Sequence, residues 1–94
     1  MAFSVATTSR FDRELKKLAA KQPQAATLFT RAIEILKADP YNTSRQHPIK
    51  KLEAVSPGDA QYRIRSGRFR FRYDVDGPNV ILKACSLRRE DSYR

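Results

Sequence analysis

The chain has 94 residues, with 19 lysines and arginines against 10 acids, a formal charge of +9 and 40% hydrophobic residues. That is one domain (1–94) able to close a core, unlike a disordered basic tail, and its charge points to polyanions or acidic proteins as partners. With no apolar run near the ~18 residues of a membrane span, no signal-peptide stretch, and single copies of Cys85 and His47, the expectation is a cytoplasmic protein without membrane, disulfide, metal or cofactor.

Phe3 to Thr7 read as a short strand. Ser9 offers a helix N-cap with Asp12 three residues on, and Phe11, Leu15, Leu18 and Ala19 recur at helical spacing. Pro23 fits the first turn of a second helix, along which Ala25, Leu28, Phe29, Ala32, Ile33 and Leu36 form an apolar stripe. That helix should stop before Pro40, because a proline biases Asp39 away from helical geometry. A link this short predicts an antiparallel helical hairpin. Residues 40–60 carry Pro40, Pro48, Pro57 and Gly58 without a clear period and read as loop, with Leu52 as an anchor and Tyr41 and Asn42 as turn residues. His47 lies in this loop, and a surface role is expected for it.

From Tyr62 the period becomes two. A turn at Ser66-Gly67 pairs Ile64 with Phe69 and Arg63 with Arg70. A second turn at Asp76-Gly77-Pro78-Asn79 brings Val75 to Val80, Tyr73 to Leu82, Phe71 to Ala84, Arg72 to Lys83 and Arg70 to Cys85. Opposed residues share a side of the sheet. One face then holds Tyr62, Ile64, Phe69, Phe71, Tyr73, Val75, Val80 and Leu82 and receives the helices. The other gathers Arg63, Arg65, Arg68, Arg70, Arg72 and Lys83. Five arginines and no acid lie between residues 61 and 73, and eight of the twelve arginines follow residue 60. Opposed like charges cost stability, and the planar guanidinium suits bidentate phosphate contacts, so this face is expected to bind an anion. An acidic protein partner would explain the charge equally. Cys85 is expected to be a packing residue.

The chain resembles the RelE/ParE superfamily of toxins from type II toxin–antitoxin pairs. The resemblance spans the whole chain. It runs through Ser9-Arg10-Phe11-Asp12-Arg13-Glu14-Leu15, through Ile49-Lys50-Lys51-Leu52-Glu53, through Tyr62 to Tyr73, and through Leu87-Arg88-Arg89-Glu90-Asp91-Ser92-Tyr93. It implies an α+β fold of order β-α-α-β-β-β, with the helical hairpin packed on one face of a small antiparallel sheet. It also implies a metal-free endoribonuclease that cuts mRNA, commonly in the ribosomal A site, by attack of a ribose 2′-hydroxyl on the adjacent phosphate. Under the resemblance the catalytic group is Arg63, Arg70, Arg88 or Arg89, and Tyr93. Arg70 would stabilise the transition state, and Tyr93 would stack on a base or move a proton. Lys50, Lys51, Arg65, Arg68, Arg72 and Lys83 would hold RNA. The C-terminal segment lacks the histidine that some members carry, which leaves Glu53 or Glu90 as alternative bases. The implied partners are a cognate antitoxin laying an acidic segment over the basic face or the last strand, mRNA on the ribosome, and operator DNA through the antitoxin complex alone. A gyrase inhibitor of the same fold, or a member that binds without cutting, are the alternatives.

Overall fold

A computed structural model describes residues 2–87. Its elements are β1 (Ser4–Thr7), α1 (Ser9–Ala19), α2 (Ala25–Ala38), β2 (Ile49–Lys51), β3 (Tyr62–Ser66), β4 (Phe69–Asp76) and β5 (Asn79–Leu87). The five strands form one sheet in the order β1-β5-β4-β3-β2. All neighbours run antiparallel except β1, which lies parallel to β5. This is the expected α+β arrangement with one strand more: β2 sits within the stretch read as loop. Its three residues are too few to display a period, and its pairing with β3 defines it.

Helix α1 starts one residue earlier than Ser9 suggested. Thr8 is the N-cap, and its hydroxyl accepts the Phe11 N–H at 3.1 Å. Pro23 precedes α2 rather than entering it, and the helix ends at Ala38 as Pro40 requires. Phe11, Ala32 and Leu36 are fully buried against the sheet residues Ile64, Phe69, Phe71, Tyr73, Val80 and Leu82, whereas Ala19 is exposed. At the centre, Phe11, Phe29 and Phe71 form a triangle with ring centroids 5.7–5.8 Å apart. Aromatic pairs in that range add about 0.5–1.5 kcal/mol each beyond the area they bury.

Both hairpins need correction in register. The first turn is Gly67-Arg68, so Ser66 faces Phe69, Arg65 faces Arg70, Ile64 faces Phe71, Arg63 faces Arg72 and Tyr62 faces Tyr73. One contact and one backbone angle draw the turn one residue on. Ser66 Oγ donates to the Leu28 carbonyl at 2.8 Å, keeping Ser66 in the strand. Gly67 takes φ +58°, the first central position at which a two-residue turn most demands glycine. The slip moves each partner by two residues, so the two faces keep their composition except for Arg68, which leaves the basic face for the turn. In the second hairpin Val75–Val80 and Tyr73–Leu82 pair as expected, then a β-bulge intervenes. Arg72 meets Ala84, Phe71 meets Cys85 and Arg70 meets Ser86. The extra residue is Lys83, and beyond it Cys85 returns to the core side, where it is buried.

Candidate functional site

Register assembles the cations into rows across strands. Lys50 on β2 faces Arg63 on β3, which faces Arg72 on β4. One step along the sheet, Arg65 faces Arg70, which faces Ser86. Arg63, Arg70 and Arg72 are half-buried, whereas Arg65 and Lys50 are exposed. Arg68 lies in the exposed hairpin turn, beyond the rows. Lys51 faces Tyr62 and so belongs to the opposite side, where its ammonium stands 5.9 Å from the Tyr62 ring centroid.

The cations on this face divide by what they touch. Arg72 donates from Nε and Nη2 to the Ala60 carbonyl and from Nη2 to the Asp59 carbonyl, at 3.0–3.3 Å. Lys83, released by the bulge, contacts the Asp74 carboxylate at 2.9 Å and donates to the Gly58 carbonyl at 2.6 Å. Asp74 is buried and also accepts the backbone N–H groups of Ala60 and Gln61 at 2.8 and 3.0 Å. Burial alone would raise its pKa, but the Gln61, Lys83 and Ala60 donors outweigh that and hold the carboxyl below its ordinary value. Asp74, Lys83 and Arg72 together pin the loop that leads into β3. That loop holds Ala60 at φ +62°, a conformation an alanine keeps only where its surroundings enforce it. Beside it a cleft of about 220 Å³ is lined by Arg10, Gly58–Ala60, Arg72, Lys83 and Ala84. Its cations face carboxylates as well, Lys83 on Asp74 and Arg10 on Glu14 at 3.5 Å.

The other edge of the face is held by α1. β1 stops at Thr7 opposite Leu82, which leaves the next stretch of β5 without a strand on that side. Glu14 covers it, its Oε1 accepting the Cys85 N–H at 3.0 Å. Burial first, and the Glu14 charge second, push the Cys85 thiol up to about 12, far from thiolate reactivity. His47 belongs to its own loop, with its ring 3.8 Å from Asp39 and its backbone bonded to Asn42. Glu53 is exposed between β2 and β3. Arg88, Arg89, Glu90 and Tyr93 lie outside the described residues. Among the described residues no group of three His, Cys, Asp or Glu side chains is placed to hold a metal ion.

Three contributors went unread in the sequence: Glu14, the Lys83 bulge and the Asp74 hub. Only Asp74 left a signal, as the acid that breaks an alternation of arginines.

The chain matches no established family profile. It is 34% identical over 96 residues to a Methanocaldococcus jannaschii protein named, provisionally, toxin RelE1, with 100% of this chain and 98% of that one covered. Among solved structures it resembles the RelBE2 toxin–antitoxin complex of Mycobacterium tuberculosis, with TM-score 0.72, 21% identity, and 94% and 100% of the two chains covered. It also resembles the RelE–RelB complex of Pyrococcus horikoshii OT3, with TM-score 0.69, 22% identity, and 96% and 99% covered. A third likeness is to the RelB–RelE complex of Methanococcus jannaschii, with TM-score 0.63, 20% identity, and 87% and 88% covered.

Proposed function

Because the chain belongs to the RelE toxin family, we propose that it is the endoribonuclease of a toxin–antitoxin pair, cutting mRNA in the ribosomal A site without a metal. The observation that carries this reading is the pair of cationic rows, Lys50–Arg63–Arg72 and Arg65–Arg70, on a face whose reverse is the core. In the reaction a ribose 2′-oxygen bonds to the adjacent phosphorus while the bond from phosphorus to the 5′-oxygen breaks. A base takes the 2′-proton and an acid supplies one to the departing 5′-oxygen, leaving a cyclic phosphate and a 5′-hydroxyl. Charge accumulates on the phosphorane oxygens, where fixed guanidinium groups stabilise it most. Arg70 and Arg63 take that role, and Arg65 with Lys50 holds the flanking backbone. Arg88 or Arg89 and Tyr93 complete the site, with Tyr93, Glu53 or Glu90 as the proton-transfer groups.

A cognate antitoxin is the protein partner in this reading, since the structural relatives are toxin–antitoxin complexes. An acidic segment over the basic face or along β5 would neutralise the rows that RNA needs. Operator DNA is reached through that complex. A cytoplasmic location goes with the substrate, and among the described residues no helix is long and apolar enough to cross a membrane.

Expressing the protein without an antitoxin and mapping mRNA ends on translating ribosomes, beside a gyrase supercoiling assay, tests the proposal. Codon-phased cleavage that Arg70→Ala and Arg63→Ala each reduce by about a hundredfold or more is expected. Intact mRNA with blocked supercoiling would overturn it.

A further inference from the structure

Tyr41 is a large side chain left open to solvent, with 48% of its surface exposed, and the loop carrying it is built to hold it still. Pro40 before it is buried. Asp39 accepts from the backbone N–H and the hydroxyl of both Thr43 and Ser44 at 2.7–3.1 Å. The Asn42 side chain donates to the His47 carbonyl and accepts the His47 N–H, each at 3.1 Å. Asn42 and Arg45 take φ of +53° and +59°, a strained conformation that persists where the surroundings over-determine it. The ring meets Phe3 at 6.2 Å and Tyr62 at 5.8 Å, both near-perpendicular, so neither stacks on it in parallel.

Tyr62 itself is covered, with Tyr73 stacked on it at 5.5 Å and the Lys51 ammonium 5.9 Å from its centroid. Lys51 is exposed and flanks the same ring that Tyr41 touches. It neighbours Lys50, which belongs to the cationic rows through Arg63. β2 is the outer strand of the sheet on this side. The rows on one face and the Tyr41–Lys51 pair on the other therefore meet around a three-residue edge. A solvated ring and an exposed cation that both meet one tyrosine, Tyr62, are the combination that single-stranded nucleic acid uses, base on ring and phosphate on ammonium. An acidic peptide would use Lys51 but has no need of a flat ring on a loop tied by six hydrogen bonds.

We infer that Tyr41 and Lys51 form a one-nucleotide subsite for single-stranded RNA, taking a base and its phosphate where the strand leaves the cationic face around β2. The inference rests on the RNA-cutting reading and adds a contact outside its catalytic group. The test uses the full chain carrying Arg70→Ala to suppress cutting, with a labelled single-stranded RNA of about twelve nucleotides and its abasic counterpart, titrated by fluorescence anisotropy. Tyr41→Ala should weaken binding of the RNA by roughly five- to a hundredfold and leave the abasic strand unchanged, whereas Tyr41→Phe stays within about twofold. Lys51→Ala, on an exposed side chain that folding does not need, should lower the slope of log affinity against log salt by about 0.7. Binding equal to the parent in both Tyr41→Ala and Lys51→Ala overturns the subsite while leaving the RNA reading intact. A parent that binds neither strand overturns the subsite, and the RNA-cutting reading is then decided by the cleavage assay on translating ribosomes. Loss of affinity for an acidic peptide, with RNA binding unchanged, overturns the subsite and gives the surface to a protein partner.

Discussion

Asp74 breaks the run of arginines along β4, and its carboxylate joins two otherwise separate parts: the 52–61 loop, through the Ala60 and Gln61 N–H groups, and β5, through the Lys83 ammonium. Removing it would leave those donors buried and the lysine charge uncompensated, which typically costs more than the pair itself contributes. Asp74→Ala is expected to destabilise the fold by about 2–4 kcal/mol in urea unfolding. The pH dependence follows from the direction of its shift. A carboxyl held below its unfolded-state value contributes stability that is full above that value, about 3.9, and is lost as pH falls through the folded-state pKa. Asp39 acts with the same sign, held low by the Ser44 donors first and by Thr43 after. Asp74→Asn should therefore flatten the loss of stability below pH ~4, and an acid limb as steep as that of the parent would contradict the assignment. Tyr73 is the apolar-side counterpart. Its hydroxyl donates to the Pro40 carbonyl at 2.6 Å in a buried site, and burial keeps it protonated well above the usual phenol value. Tyr73→Phe orphans that carbonyl at a cost of about 1–2 kcal/mol, readable in the same urea titration.

At the scale of elements, the turn between β3 and β4 carries two constraints on one glycine. A Cβ on Gly67 would sit 2.7 Å from Leu28 Cδ1, and φ is +58°, whereas Gly58 and Gly77 share the positive φ but have open space around them. Gly67→Ala should cost about 1–3 kcal/mol and Gly77→Ala only about 1, so equal denaturation midpoints would remove the Leu28 contact from the account. That contact also explains what the sequence could and could not disclose. Alternation places Arg63, Arg65, Arg70 and Arg72 on one face whatever the register, because a turn displaced by one residue moves each partner by two. Which arginine faces which depends on Leu28, 38 residues from Ser66, whose carbonyl holds Ser66 in the strand. The bulge at Lys83 was equally hidden, since its local sequence continues the alternation and the lysine turns aside only because Asp74 and Gly58 wait across the sheet. Short β2 is invisible for a different reason: three residues have no period, and their strand character comes from β3.

Across the whole molecule the +9 charge is spread, about +4 before residue 49 and +5 after it, so net charge alone would give a diffuse attraction to any polyanion. Among the described residues, geometry sets three groups of cations apart. Helix cations such as Arg13 and Lys17 are exposed on α1 and stand in neither row. Arg72 and Lys83 are committed to the 52–61 loop. Lys50, Arg63, Arg65 and Arg70 stand in rows with spacing fixed by the strands. A phosphate chain bound along those rows would neutralise about four charges, and each phosphate contact on a single strand contributes about 0.7 to the slope of log affinity against log salt. The predicted slope for a short single-stranded RNA is therefore roughly −3. Arg65→Ala should make it shallower by about 0.7 while Arg13→Ala leaves it unchanged. Arg72→Ala should act mainly on stability, by about 1–3 kcal/mol for three lost charge-assisted contacts, and only weakly on the slope. Anisotropy titrations at four or five salt concentrations, paired with urea unfolding of the same variants, separate these roles. A slope that falls equally for Arg13→Ala and Arg65→Ala would return the molecule to a diffuse positive surface and remove the rows as its binding track.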